Sequence, residues 1–284
     1  MCRLFGFRSS VLSRAHRSLI AAENALATQA LAHPHGWGIG YFAQGEAYVI
    51  KSEHGAAGSE SFRRAADRLA SNALVAHVRR ATVGSVDSLN THPFRNGRWI
   101  FAHNGTLFGF CGEGTPGLED RLAAATPADL WQRRLGTTDT EAFFCFLLGI
   151  LRDRGVDPEG GSPIDPDAVS AAVVEAVGRV VGWAEELGVA EPVVNFLLTN
   201  GRAFFAHRRG RELFFSTQKL LCRDALTCSE PDKPCLLRVR PHDRVNHLLV
   251  ASERIGDEDV WEEVPEQTLL ALGEDFRLRS YATA

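Results

Sequence analysis

The sequence predicts an α+β fold in which antiparallel sheets are covered by helices, and three features lead to it. Short apolar runs of strand composition fall in pairs around turn dipeptides, notably Gln44-Gly45 and Asn200-Gly201. Segments with helical spacing stand at intervals between these clusters, without the one-for-one alternation of a doubly wound parallel sheet. The length of 284 residues, 45% hydrophobic and 23% charged, is ordinary for a globular protein whose core needs no disulfide or metal staple.

Taken in order, Leu4 to Phe7 reads as a short strand, with Gly6 admitting close approach of another backbone. Ser13 precedes an alanine-rich segment to Ala32 in which Leu19, Ala22, Leu26 and Ala30 recur at helical spacing, stopped by His33-Pro34-His35-Gly36. Trp37 to Tyr41 and Ala47 to Lys51 are expected to form a hairpin. Ser59 to Ser71 reads as a helix, and Ala73 to Arg80 as a strand with Val75, His77 and Arg79 on one face and Arg80 on the other. A loop from Val83 to Arg98 leads to a strand, Trp99 to His103, that ends on Asn104-Gly105.

Thr138-Asp139-Thr140-Glu141 has capping-box spacing and opens an apolar helix, Ala142 to Arg152, so Asp139 sits at a helix entrance. Gly155 to Pro166 is a Gly-, Pro- and Asp-rich loop. A long helix, Asp167 to Leu187, and a run of strands complete the chain: Val193 to Thr199, Arg202 to His207, Leu213 to Ser216, Leu236 to Arg240 and Asn246 to Ser252. No repeat divides the sequence, and residues 1–284 are expected to form a single domain.

A formal net charge of −4 gives no electrostatic reason for nucleic acid or an anionic membrane to be a partner. The most apolar runs are too short for the ~20 residues of a membrane span, and the first residues lack the order of a secretory signal. A cytoplasmic protein is the expectation. Six cysteines over this length make no disulfide framework, and Cys222, Cys228 and Cys235 lack the paired spacing of a zinc knuckle.

The unusual cysteine is Cys2. If Met1 is removed, one residue carries both a thiol nucleophile and a free α-amine, whose ordinary pKa of about 7.7–8.0 lets it accept the thiol proton near neutrality. If Met1 is retained, that nitrogen is an amide and no base exists there. An incidental cysteine near a chain end is the plain alternative. Asn104 offers a side-chain amide and Gly105 an unencumbered N–H, donors of the kind that stabilise a tetrahedral oxyanion, although Asn-Gly by itself is more often a turn. Arg79 can clamp a carboxylate with help from the Thr82 hydroxyl, the alternative being an exposed basic pair on an edge strand. Asp139 can pair with an ammonium or merely cap its helix. Together these groups complement one end of an amino acid.

Six motifs in order carry a resemblance: Met1-Cys2-Arg3-Leu4-Phe5-Gly6, His35-Gly36-Trp37-Gly38-Ile39-Gly40, His77 to Thr82, Asn90-Thr91-His92-Pro93-Phe94, His103-Asn104-Gly105 and Thr138 to Glu141. The chain resembles class II glutamine amidotransferases, in particular the stand-alone branch that includes YafJ-like proteins and the γ-glutamyl hydrolase of ergothioneine biosynthesis. The motifs cover residues 1 to about 155. The resemblance implies a four-layer αββα N-terminal-nucleophile fold of two stacked antiparallel sheets. It implies Cys2 as nucleophile and base, Asn104 and Gly105 as the oxyanion hole, Arg79 and Thr82 on the substrate carboxylate, and Asp139 on its amine. Trp37 and His92 lie inside the motifs and are read as structural. One departure stands out: where many relatives carry an aromatic and a second histidine around the substrate arginine, this chain has Arg80 and Val83.

The activity so implied is hydrolysis of the γ-amide of glutamine or of a γ-glutamyl compound through a thioester, with no metal or organic cofactor. A partner subunit that accepts ammonia, and a homo-oligomer, both stay open. Two other readings compete. His33, His35, His77, His92 and His103 suggest a metallohydrolase, against which Pro34 separates the first pair and no acidic third ligand lies near. The pocket could also serve a non-catalytic γ-glutamyl-binding module, which a retained Met1 would favour.

Overall fold

The computed structural model describes residues 2–110, 117–220 and 244–283. In chain order its elements are β1 (Arg3–Arg14), α1 (Leu26–Gln29), β2 (Trp37–Ala43), β3 (Glu46–Ser52), α2 (Glu60–Arg68), β4 (Ala70–Val78), β5 (Phe94–Asn96) and β6 (Trp99–Thr106). Next come α3 (Leu118–Ala125), α4 (Ala128–Trp131), α5 (Asp139–Asp153), α6 (Pro166–Leu187), β7 (Val193–Thr199), β8 (Phe204–Arg208) and β9 (Phe214–Ser216). The last strands are β10 (His247–Ala251), β11 (Glu262–Glu263), β12 (Thr268–Leu272) and β13 (Leu278–Ala282).

The strands form two antiparallel sheets, ordered β11-β9-β10-β1-β4-β2-β3 and β13-β12-β8-β7-β6-β5. Strand alternation sorts their side chains into layers. Leu4 of β1, Val75 of β4, Ile100 and Ala102 of β6 and Leu197 of β7 meet in a core between the sheets. The opposite faces turn outward: Phe5, Trp37 and Leu74 pack beneath Leu26 and Phe62, while Phe101, Phe196 and Leu198 pack beneath α5 and α6. Helix, sheet, sheet and helix therefore stack as four layers, and α5 is buried almost throughout because it lies between the second sheet and α6. Gly6 sits on the inner face, where an added Cβ would come within 2.9 Å of both Leu197 and Phe204.

Most elements fall where patterning puts them. The hairpin turn at Gln44-Gly45 has positive φ at both residues, and Ser59 caps α2 by accepting from the Phe62 N–H. Residues 13–32 differ. Strand β1 runs on to Arg14 through an irregularity in its pairing with β4, and in place of one long helix the chain then makes a π-helical turn at Arg17–Ala21, α1 and a 3-10 turn at Ala30–Ala32. The break comes at Asn24, whose N–H donates to Ile255 and whose amide reaches Glu253 and Arg254, tertiary bonds that outweigh the helical propensity of the flanking alanines. Leu19, Leu26 and Ala30 are still buried, as the spacing suggests. The expected strand Leu236 to Arg240, and Cys222, Cys228 and Cys235, lie outside the described residues.

Candidate active site

Register brings the two ends of the first sheet's central pair together. Arg3 lies opposite Val78, so Cys2 and residues 79–80 meet just beyond the paired strands. The Cys2 Sγ accepts from the Arg80 N–H at 3.3 Å and lies 3.5 Å from the Arg80 carbonyl. Burial pushes the thiol pKa up; the Arg80 backbone contact and the Arg79 charge oppose this, and Asp139 adds to it. Burial thus favours the protonated thiol, so nucleophilic use of it needs a proton acceptor.

Arg79 is not on an edge strand. β4 lies between β1 and β2, and Arg79 is 2% exposed, whereas Arg80 is exposed. The Arg79 guanidinium donates to the carbonyls of Val83 at 2.9 Å and Ser85 at 2.8 Å, tying down the loop whose Ala81, Thr82 and Val83 line a cleft. Burial lowers the Arg79 pKa, and the neighbouring Cys2, Asp87 and Asp139 counter it.

The second sheet and α5 supply the other wall. Thr138 caps α5, accepting from the Glu141 N–H at 3.2 Å. The reciprocal half of a capping box is absent, since the Glu141 carboxylate instead accepts from the N–H groups of Leu135 and Gly136. Asp139, at 4% exposure, accepts from Leu107 N–H at 2.8 Å through one oxygen and from Thr140 N–H at 2.8 Å through the other. Helix-entrance and site positions thus coincide in one residue.

His103 Nε2 lies 2.9 Å from the Val193 carbonyl, which can only accept, so Nε2 carries the proton and Nδ1 accepts from the Thr140 hydroxyl at 2.9 Å. Burial holds this imidazole below the usual histidine range, against the upward pull of Asp139. Next to it, Gly105 is obligatory: a Cβ there would stand 1.9 Å from the Val193 carbonyl oxygen.

One cleft is lined by Cys2, Arg79, Thr82, Gly105 and Asp139, together with His92 and His103. Its free volume is about 20 Å³, roughly room for one water. Asn104 does not line it. Sharing the inter-sheet face of β6 with Ile100 and Ala102, it is 4% exposed, and its Nδ2 donates to the Ser252 Oγ at 3.3 Å.

Of the motif residues read as structural, Trp37 packs edge-on against Phe62 at 5.1 Å. His92 reaches the cleft, with its Nδ1 3.0 Å from His77 Nε2 and no hydrogen-bond partner for its Nε2 among the described residues. Burial holds both rings well below the usual range. The five histidines that suggested a metal site are each engaged by protein: His33 with the Gln29 carbonyl, His35 with the Ala81 N–H, His77 with His92, and His103 with Thr140 and Val193. Among the described residues no group of three or more His, Cys, Asp or Glu side chains could hold a metal ion. No described helix is long and apolar enough to cross a membrane.

The model of the class II glutamine amidotransferase family matches residues 1–276. A putative glutamine amidotransferase of Escherichia coli, YafJ, is 28% identical over 85% of this chain and 87% of its own. The gamma-glutamyl-hercynylcysteine sulfoxide hydrolase of Mycobacterium tuberculosis is 37% identical over 27% of this chain and 34% of its own. The chain spans only 41% and 52% of the length of two further curated relatives. A glutamine aminotransferase class-II domain protein from Silicibacter pomeroyi has the same fold, with a TM-score of 0.65 at 18% identity over 99% of both chains.

Proposed function

Because the chain belongs to the class II glutamine amidotransferases, we propose that it hydrolyses the γ-amide of glutamine or of a γ-glutamyl compound through a thioester on Cys2. The observation that carries the reading is the convergence of Cys2, Arg79, Thr82, Gly105 and Asp139 on one cleft. A cation and a hydroxyl stand ready for a carboxylate, an acid for an ammonium, and a thiol and an N–H for the carbonyl between them.

In the proposed reaction Met1 is absent and the Cys2 α-amine takes the thiol proton. The sulfur attacks the δ-carbonyl, forming a C–S bond, and the negative charge moves to oxygen beside the Gly105 N–H, with the Asn104 amide, which does not line the resting cleft, proposed to add its second N–H. Collapse breaks the C–N bond, and the leaving ammonia or amine departs with the proton held by the α-amine. Water, deprotonated by the same amine, attacks the thioester; glutamate leaves and the thiol is reformed. Burial disfavours the Cys2 thiolate, which supports the need for a base.

Opening must precede binding. The cleft volume does not admit a glutamyl group, and the Arg79 guanidinium is spent on two loop carbonyls. A substrate carboxylate would replace the Val83 and Ser85 oxygens on Arg79 and release the 81–86 loop.

The group that leaves from the carbonyl separates two versions of this reading: a γ-glutamyl hydrolase in its own right, or a glutaminase whose ammonia a partner subunit takes. The hydrolase named among the relatives supports the first. Residues 1–284 would act as one domain in either. The test is intact mass before and after an electrophilic glutamine analogue, with turnover of glutamine compared with γ-glutamyl dipeptides. Stoichiometric labelling of Cys2 with Met1 missing is expected; a retained Met1 without adduct sinks the reading and leaves a binding module.

A further inference from the structure

A single hydroxyl from the far end of the chain bonds to one residue of each sheet. Ser252 comes directly after β10, where register places it opposite Leu4, and its N–H donates to the Leu4 carbonyl at 2.9 Å. Its Oγ accepts from the Leu4 N–H at 2.9 Å and from the Asn104 Nδ2 at 3.3 Å. Leu4 belongs to the first sheet, two residues from Cys2, and Asn104 belongs to the second. The next residue, Glu253, pairs with Arg3, so the start of β1 is gripped by two successive side chains.

The consequence for Asn104 is directional. A side-chain amide has two faces of opposite polarity, and a rotation of 180° about its last bond exchanges the carbonyl for the NH₂ group. As placed, Nδ2 donates to the Ser252 Oγ, which also accepts the Leu4 N–H, so one N–H of the amide is held at the serine and the second is left for another acceptor.

We propose that Ser252 is a positioning residue that holds one N–H of the Asn104 amide, leaving the second for the oxyanion, and ties that amide to the strand that follows Cys2. This rests on the amidohydrolase reading above. Ser252 does not touch the substrate; it acts through Asn104. Its effect therefore belongs in kcat, since the oxyanion exists only in the transition state and intermediates, whereas the glutamyl clamp of Arg79 and Asp139 is untouched.

The experiment is a double-mutant cycle on the full chain, with kcat and KM for glutamine or a γ-glutamyl dipeptide. Ser252→Ala is expected to lower kcat about tenfold at unchanged KM, the scale of one hydrogen bond. Ser252→Thr, which keeps the hydroxyl, should return kcat to within about twofold of the wild type. Asn104→Ala/Ser252→Ala should be no slower than Asn104→Ala alone, because the serine has nothing left to orient. Should the alanine variant fail to fold, Ser252→Cys keeps the volume while weakening the acceptor, and the same kcat loss is expected of it. Wild-type kcat in Ser252→Ala or Ser252→Cys, or multiplicative losses in the double variant, would overturn the positioning role while leaving the amidohydrolase reading intact. Absence of turnover and of Cys2 labelling in the wild type would instead remove that reading, and this inference with it.

Discussion

The two walls of the cleft are built differently. On the first-sheet side, Cys2 and Arg79 lie just beyond regular strands and their partners are loop backbone atoms: Arg80 for the thiol, Val83 and Ser85 for the guanidinium. On the second-sheet side, Gly105 lies inside β6 and Asp139 begins α5, and the bonds around them tie β6, β7 and α5 together through His103, Thr140 and Val193. One wall is held by contacts a ligand can replace; the other is fixed before any ligand arrives. Groups that stabilise charge in a transition state gain most from being fixed, because they need no reorganisation during the reaction. Groups that admit and release substrate gain from exchangeable partners.

This contrast can be broken by substitution. The largest effect is expected on the second-sheet side, from the residue before Gly105: Asn104→Ala should lower kcat about 10²–10³-fold with little change in KM. Arg79→Ala removes a clamp and also frees the 81–86 loop, so KM should rise roughly 10–100-fold with kcat nearly unchanged. A kcat loss in Arg79→Ala equal to that of Asn104→Ala would erase the distinction between the walls. The smallest effect sharpens it through stability.

His207 supports β7, with Nδ1 2.6 Å from the Val194 carbonyl and Nε2 2.9 Å from Thr283, and burial lowers its pKa to about 4. The unfolded chain takes up this proton near the ordinary value of about 6.5, the folded chain only near 4, so stability is complete above 6.5 and lost as pH falls. A slope of about 1.4 kcal/mol per pH unit between those values is expected from this residue, and denaturant melts of His207→Gln should lack it. Equal slopes in both proteins would show that His207 does not carry the dependence.

How much of this is legible in the sequence depends on the range over which each feature is determined. Hairpins and caps are local, so Gln44-Gly45, Ser59 and Thr138 can be read directly. Residues 13–32 cannot, because Asn24 is held by residues 253–255, more than two hundred positions away. Cys2, Arg79, Thr82, Gly105 and Asp139 stand in motifs that single them out, and the fold gathers them. Two things escape. Arg79 looks free to bind in the sequence because its loop partners are carbonyls, which sequence does not reveal. Ser252 stands in an ordinary strand end with no motif, and only the pairing of β10 with β1 gives it meaning.

The loop held by Arg79 also bears on the reactivity of Cys2. Peroxide and stray electrophiles attack the thiolate, and burial of the sulfur disfavours that form of the half-buried Cys2, while the cleft leaves roughly the space of one water beside it. The arginine that closes the cleft is the group a carboxylate must win over to open it. Exchange of the loop carbonyls on Arg79 for a ligand carboxylate would therefore also change the space around the sulfur.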